Sequence, residues 1–154
     1  MRIFAYHAWA NERLFQHLDG MPAELLEQES PSSFPTILQT LAHIYQADRR
    51  ILMRMKEYEV EVQEEKAVSY DWLKEEMCKQ HHEIAQYLND QSDLTRTVPF
   101  PRKDGSSLQA SLVEVVQHLV NHGTYHRGQI TTMLRALGQK GASMDYLTFV
   151  WEGK

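Results

Sequence analysis

The chain has 154 residues, of which 42% are hydrophobic and 24% charged, and its formal net charge is −5 at pH 7. We expect a single domain over residues 1–154, because a domain of this size buries roughly 70% of the surface that its unfolded chain exposes. The negative charge argues against a nucleic-acid-binding protein, since affinity for phosphates comes mainly from clustered lysine and arginine.

The cysteine content and the apolar pattern indicate a compartment. The single cysteine, Cys78, excludes an internal disulfide and is typical of proteins in a reducing environment. No apolar run approaches the roughly 18 residues that a membrane-spanning helix needs. The segment MRIFAYHAWANERLF at residues 1–15 carries Glu12 and Arg13 and lacks the apolar centre of a cleavable signal. We therefore expect a soluble, cytoplasmic protein that does not contact membranes.

Four segments show the apolar spacing of three and four residues that is typical of amphipathic helices. The spacing predicts helices over about Ile3–Leu18, Thr36–Tyr58 and Ser69–Leu88, and a fourth from after Ser107 to about Leu137. Gly138 is a suitable stop for the last of these. Long helices with short links predict an all-α helical bundle.

Three stretches outside these helices are less regular. Pro99, Pro101 and the turn signal Lys103-Asp104-Gly105 predict either a small hairpin or an ordered loop before the last long helix. The charged stretch from Glu57 to Lys66 is predicted to be a solvated connection. The apolar tail from Met144 to Trp151 is predicted to close the bundle as a brief helix or strand.

The last predicted helix carries His118, His122 and His126, each four residues from the next. Side chains at i and i+4 stand about 6 Å apart along the axis and can turn to one ion, whereas His118 and His126 are about 12 Å apart. At about 100° per residue, His126 falls near the middle of the apolar stripe and His122 near its edge. His118 points almost a right angle away. His122 and His126 are therefore the preferred pair of metal ligands.

Other interpretations of this pair remain open. Histidines at this spacing also arise by chance, and buried imidazoles can be satisfied by hydrogen bonds to tyrosine, aspartate or backbone. The residue after His122 is Gly123 rather than glutamate, which excludes the zinc-protease arrangement.

The residues alone do not identify a third ligand, although a catalytic zinc usually has three protein ligands. In the second helix, His43 lies off the apolar stripe and Asp48 lies on it. The helical phase of His7 and His17 does not single out either of them as facing the apolar stripe. His81 and the neighbouring His82 occupy a polar stretch that we expect to face solvent.

The segments AWANERLF, TLAHIYQAD and NHGTYHRGQITTMLRALG resemble the DinB-like (DNA-damage-inducible protein B) family of metal-dependent enzymes over nearly the whole chain. The resemblance implies an up-down-down-up four-helix bundle, often assembled as a homodimer. It also implies a divalent metal, commonly zinc or nickel, held by His43, His122 and His126. Asp48, five residues after the first of these histidines, and Gln129 are candidates to orient a ligand or a bound water.

The resemblance implies transfer of a low-molecular-weight thiol, such as bacillithiol, to an electrophile, or hydrolysis of a related substrate. Three neutral imidazoles leave the positive charge of the metal in place, so a bound thiol or water is driven towards its anion. The alternative is a non-enzymatic stress-response protein whose metal is structural; a metal-free partner-binding bundle is a third interpretation. Arg127 is expected to meet an acid on a neighbouring helix, and His118 to lie at the helix edge or a dimer contact.

Overall fold

The computed structural model describes residues 1–58, 69–101 and 104–154 of a mostly helical chain with one small sheet. The elements in chain order are α1 (Arg2–Leu18), α2 (Ala23–Leu26), α3 (Ile37–Met55), α4 (Tyr70–Asn89), β1 (Thr97–Pro101), β2 (Ser107–Ser111), α5 (Leu112–Ala136) and α6 (Tyr146–Trp151). The four predicted helices are confirmed as α1, α3, α4 and α5. Most of the predicted connection from Glu57 to Lys66 lies outside the described residues.

Local sequence explains where the long helices begin and end. The side chains of Thr36 and Ser69 accept hydrogen bonds from backbone N–H groups at the start of α3 and α4. Ser111 and Glu114 form a reciprocal capping box at the start of α5. Gly138 follows the end of α5 with φ of 77°, a backbone conformation that glycine adopts without a steric penalty.

The segment before α5 is a hairpin, which was one of the two predicted alternatives. β1 and β2 pair antiparallel, from Thr97 opposite Ser111 to Pro101 opposite Ser107. The last long helix therefore starts at Leu112, later than predicted, because residues 107–111 belong to a strand. Lys103 of the predicted turn lies outside the described residues.

The long helices pack around two groups of buried apolar side chains. α5 packs against α1 and α3, and α4 packs against the same two helices. One group joins the first halves of α1 and α5 to the second halves of α3 and α4, and includes Phe4, Leu52, Met55, Ile84, Leu88, Val115 and Leu119. The other joins the opposite halves and includes Leu14, Leu18, Ile37, Leu41, Leu73, Met77, Ile130 and Leu134.

The apolar tail forms α6, the helical alternative of the two predicted. Phe149 is 1% exposed and packs with the first of the two apolar groups. Over residues 1–58, 69–101 and 104–154, none of the helices has both the length and the apolar character that crossing a bilayer requires.

Candidate metal centre

The packing of α3 against α5 brings His43, His122 and His126 together. Nε2 of His122 lies 3.1 Å from Nε2 of His43 and 3.2 Å from Nε2 of His126. Two ligand atoms of a tetrahedral zinc, each about 2.0–2.1 Å from the ion, lie roughly 3.3 Å apart. The spacing of the three nitrogens therefore suits a single ion.

A hydrogen bond fixes the orientation of the His126 ring. Its Nδ1 lies 2.8 Å from Oε1 of Gln129, and the amide nitrogen of Gln129 donates to Oγ of Ser33 at 2.8 Å. Because the amide oxygen only accepts, Nδ1 of His126 carries the proton, and a neutral ring then has its lone pair on Nε2. That lone pair is directed towards the other two imidazoles.

The surroundings keep the rings of His43 and His122 uncharged at neutral pH. Burial, followed by the neighbouring rings of His126 and His43, lowers the pKa of His122 to about 4. Burial and then His126 and Arg50 also lower the pKa of His43. The ring of Phe34 covers one side of the group, with its centroid 4.3 Å from that of His43. Converging neutral imidazoles have lone pairs available for a divalent transition metal.

Asp48 lies in a different polar cluster. Its Oδ2 is 2.8 Å from Nε2 of His7 and 3.8 Å from Nε2 of His81, and its partner His7 is fully buried. The expectation that His81 faces solvent is wrong, because it is only 8% exposed, whereas its neighbour His82 is exposed. The polar residues around His81 gave no sign of a polar partner in the interior.

Arg127 joins this second cluster, and among the described residues it has no direct contact with an acid, in contrast to the expectation from the sequence. Its Nη1 donates to Oδ1 of Asn11 at 2.9 Å and lies 3.3 Å from Nδ1 of His7. Its Nη2 donates to Oγ1 of Thr124 at 3.0 Å. Asn11 was not predicted as a functional residue, although it belongs to the AWANERLF segment that carries the family resemblance.

His118 is exposed, and its ring centroid lies 6.1 Å from that of His122. It is not part of the group of three histidines. A cavity of about 490 Å³ is lined by Gln129 and Tyr125, both of which contact His126, and not by the three histidines themselves. Its other walls include Ser32, Ser33, Gly128 and Thr132.

The fold and the site define the class: a mostly helical protein in which two long helices bring three imidazoles together. The model of the DinB family matches residues 1–153, and the chain belongs to that family. Protein DinB of Bacillus subtilis (strain 168) is 26% identical over an alignment of 162 residues, gaps included, that covers 99% of this chain and 94% of that protein. The crystal structure of a DinB-like protein from Bacillus cereus ATCC 10987 has a TM-score of 0.61 at 18% identity, covering 90% of this chain and 91% of that one. This structural likeness concerns the fold.

Proposed function

We propose that this DinB-family chain is a divalent-metal-dependent enzyme that transfers a low-molecular-weight thiol, such as bacillithiol, to an electrophile or hydrolyses a related thiol-linked substrate. The observation that carries the proposal is the convergence of three Nε2 atoms from His43, His122 and His126. Zinc and nickel are the ions we favour, because imidazole nitrogen suits both.

The residues present fit such an ion. Gln129 keeps the proton of His126 on Nδ1, so Nε2 is free to bind. Burial lowers the pKa of His122 to about 4, so protons do not compete for this ligand at neutral pH. When bound, the ion would lower the pKa of a thiol or water at its open position.

The number of donors favours an enzyme over a protein whose metal is structural. Over the described part of the chain, the group consists of three side chains. Structural zinc sites normally have four protein ligands, whereas catalytic sites have three and leave one position to water or substrate. The cavity of about 490 Å³ gives a substrate room on the far side of Gln129 and Tyr125, which contact His126.

The test is the variant His122→Ala, with His118→Ala as the matched control on the same helix. We expect His122→Ala to lose stoichiometric metal by elemental analysis and at least 100-fold of its thiol-conjugation rate. His118→Ala should retain both, since this side chain is exposed and outside the group. Activity that survives loss of the metal would refute the proposal. A firmly bound metal with no activity towards any thiol and electrophile would favour the stress-response alternative.

We also infer that the four long helices run up-down-down-up within a single domain. The two apolar groups support this direction, because each joins one half of α1 and α5 to the opposite half of α3 and α4. A cytoplasmic location is in keeping with the free, exposed thiol of Cys78. A homodimer is part of the proposal, and light scattering on the purified chain tests it.

A further inference from the structure

A second group of metal-ligand side chains lies in the interior, contributed by α1, α3 and α4. His7, Asp48 and His81 are all buried, and one ligand atom from each lies within 4.8 Å of the others. Two imidazoles and a carboxylate are the donor set of many catalytic zinc sites and of mononuclear iron(II) sites. We propose that these three residues form a second site for a divalent transition-metal ion, separate from the three-histidine group.

The donor atoms face a common point. Oδ2 of Asp48 lies 2.8 Å from Nε2 of His7 and 3.8 Å from Nε2 of His81. The amide nitrogen of Asn11 lies 3.0 Å and 3.2 Å from the same two imidazole nitrogens. The two distances from Oδ2 of Asp48 lie on either side of the roughly 3.3 Å expected between two ligand atoms of a tetrahedral ion, so small side-chain shifts suffice.

The hydrogen bonds of the metal-free cluster leave its polar atoms incompletely satisfied. Oδ1 of Asp48 is buried without a hydrogen-bond partner among the described residues. Because Nη1 of Arg127 donates to Nδ1 of His7, Nε2 of that ring carries the proton and donates it to Asp48. The N–H of Asn11 then faces a second donor at 3.0 Å. An ion in place of this proton would bind Oδ2 and bring a positive charge to a carboxylate whose other oxygen has no partner.

The charges of the cluster also favour a cation beside Asp48. A buried carboxylate is costly unless a positive group meets it directly. His7 meets the carboxylate only through the N–H of its Nε2, at 2.8 Å. Arg127 contacts His7 and Asn11 instead of the carboxylate. Its nearby positive charge partly offsets the attraction of the carboxylate for an ion.

The other ring nitrogen of His7, Nδ1, can carry the proton that an ion displaces from Nε2. When Nε2 binds an ion, the ring stays neutral by carrying its proton on Nδ1, which faces Arg127. The 3.3 Å hydrogen bond from Nη1 of Arg127 is then replaced by a contact between two donors, which lowers the affinity for the ion. The guanidinium keeps its hydrogen bonds to Asn11 and Thr124, at 2.9 Å and 3.0 Å.

An ion can reach this site from solvent. His81 lies in the wall of a cavity of about 660 Å³ between α1 and α4. Trp9, Phe15, Met77 and Cys78 also line this cavity. His81 is therefore the ligand that an incoming ion meets first, while Asp48 and His7 lie deeper.

The experiment counts zinc ions bound by the full chain after its metal has been removed with a chelator. Zn²⁺ is titrated by calorimetry, and the product is desalted for elemental analysis. We expect two ions per chain for the wild type and one each for His81→Ala and Asp48→Asn. His82→Ala is the matched control, because it removes a neighbouring exposed imidazole and should leave the count unchanged.

The readout is independent of the proposed enzyme activity. His122→Ala should also lose one ion, and the double variant His81→Ala/His122→Ala should lose both. If the three-histidine group binds nothing, His122→Ala matches the wild type while His81→Ala still loses its ion. The second site is refuted if His81→Ala and Asp48→Asn, both folded by circular dichroism, bind as many ions as the wild type. If Asp48→Asn does not fold, His81→Ala alone decides.

Discussion

Gly123 of α5 lies directly against the imidazole of His7 on α1, with no room for a side chain. A Cβ at this position would overlap Cε1 of His7 and lie 2.7 Å from its Nδ1 and 2.9 Å from Nη1 of Arg127. His7 is fully buried and bonded to Asp48, so its ring has little freedom to retreat. We expect Gly123→Ala to lower the free energy of unfolding by about 1–3 kcal/mol, measured by urea denaturation.

Gly128, on the same helix, provides the matched control. A Cβ built there meets nothing within 4 Å, and the residue is exposed. Alanine favours a helix over glycine, so Gly128→Ala should be neutral or stabilise the protein by up to about 1 kcal/mol. Equal losses of stability in the two variants would mean that the contact with His7 does not limit position 123.

The hydrogen bond from His126 to Gln129 predicts a change in metal affinity. Replacing Gln129 with leucine removes the acceptor that holds the His126 ring and its proton. We expect Gln129→Leu to weaken zinc binding about 10–100-fold, measured by competition with a chromophoric chelator. Gln117→Leu is the control, since Gln117 is exposed on the same helix and bonds Asn121. Similar affinities for both variants would show that Gln129 does not orient a ligand.

The capping box of α5 predicts a loss of stability that leaves the site unchanged. Oγ of Ser111 accepts a hydrogen bond from the backbone N–H of Glu114, whose carboxylate bonds the Ser111 backbone in return. Ser111→Ala should lower the free energy of unfolding by about 1 kcal/mol. Thermal denaturation measures the loss, and the zinc count per chain should stay at the wild-type value. A change in that count would mean that the start of α5 positions the histidines further along the helix.

Apolar spacing predicted the four long helices because each of them buries at least one apolar face. The same phase argument correctly placed Asp48 on the buried side of α3 and His126 on the buried side of α5. It put His43 off the stripe, and the structure leaves this side chain partly exposed beside Phe34. Only the family resemblance brought His43 into the predicted group. Helical phase identifies residues that face the core, and His43 lies at the edge of the core.

The second polar cluster could not be predicted from apolar spacing. α1 packs against both α4 and α5, so its buried surface is wider than one stripe and includes His7 and Asn11. His81 is polar and lies in a polar segment, yet it faces the carboxylate of Asp48. Periodicity counts such residues as surface, because it records hydrophobicity and not the partner that makes a polar residue stable inside. Packing of α1, α3 and α4 had to be known first.

The buried histidines predict that the metal-free protein loses stability in mild acid. The pKa of His7 and that of His122 are both lowered from 6.5 to about 4, chiefly by burial. The unfolded chain therefore binds more protons between these values, and stability present above pH 6.5 is lost as the pH falls towards 4. For fully buried His7, the loss is roughly 3 kcal/mol.

Urea denaturation of the chelator-treated protein at pH 7, 5.5 and 4.5 measures this loss. Asp48 does not contribute in this range: burial alone would raise its pKa, but its interactions with His7 and His81 outweigh burial, and the pKa is about 2. His122→Gln should show a shallower dependence on pH, because one of the rings with a lowered pKa is gone. His118→Gln should follow the wild type, since this ring is exposed. A free energy of unfolding that stays constant from pH 7 to 4.5 would mean that both imidazoles take up protons without leaving the folded state.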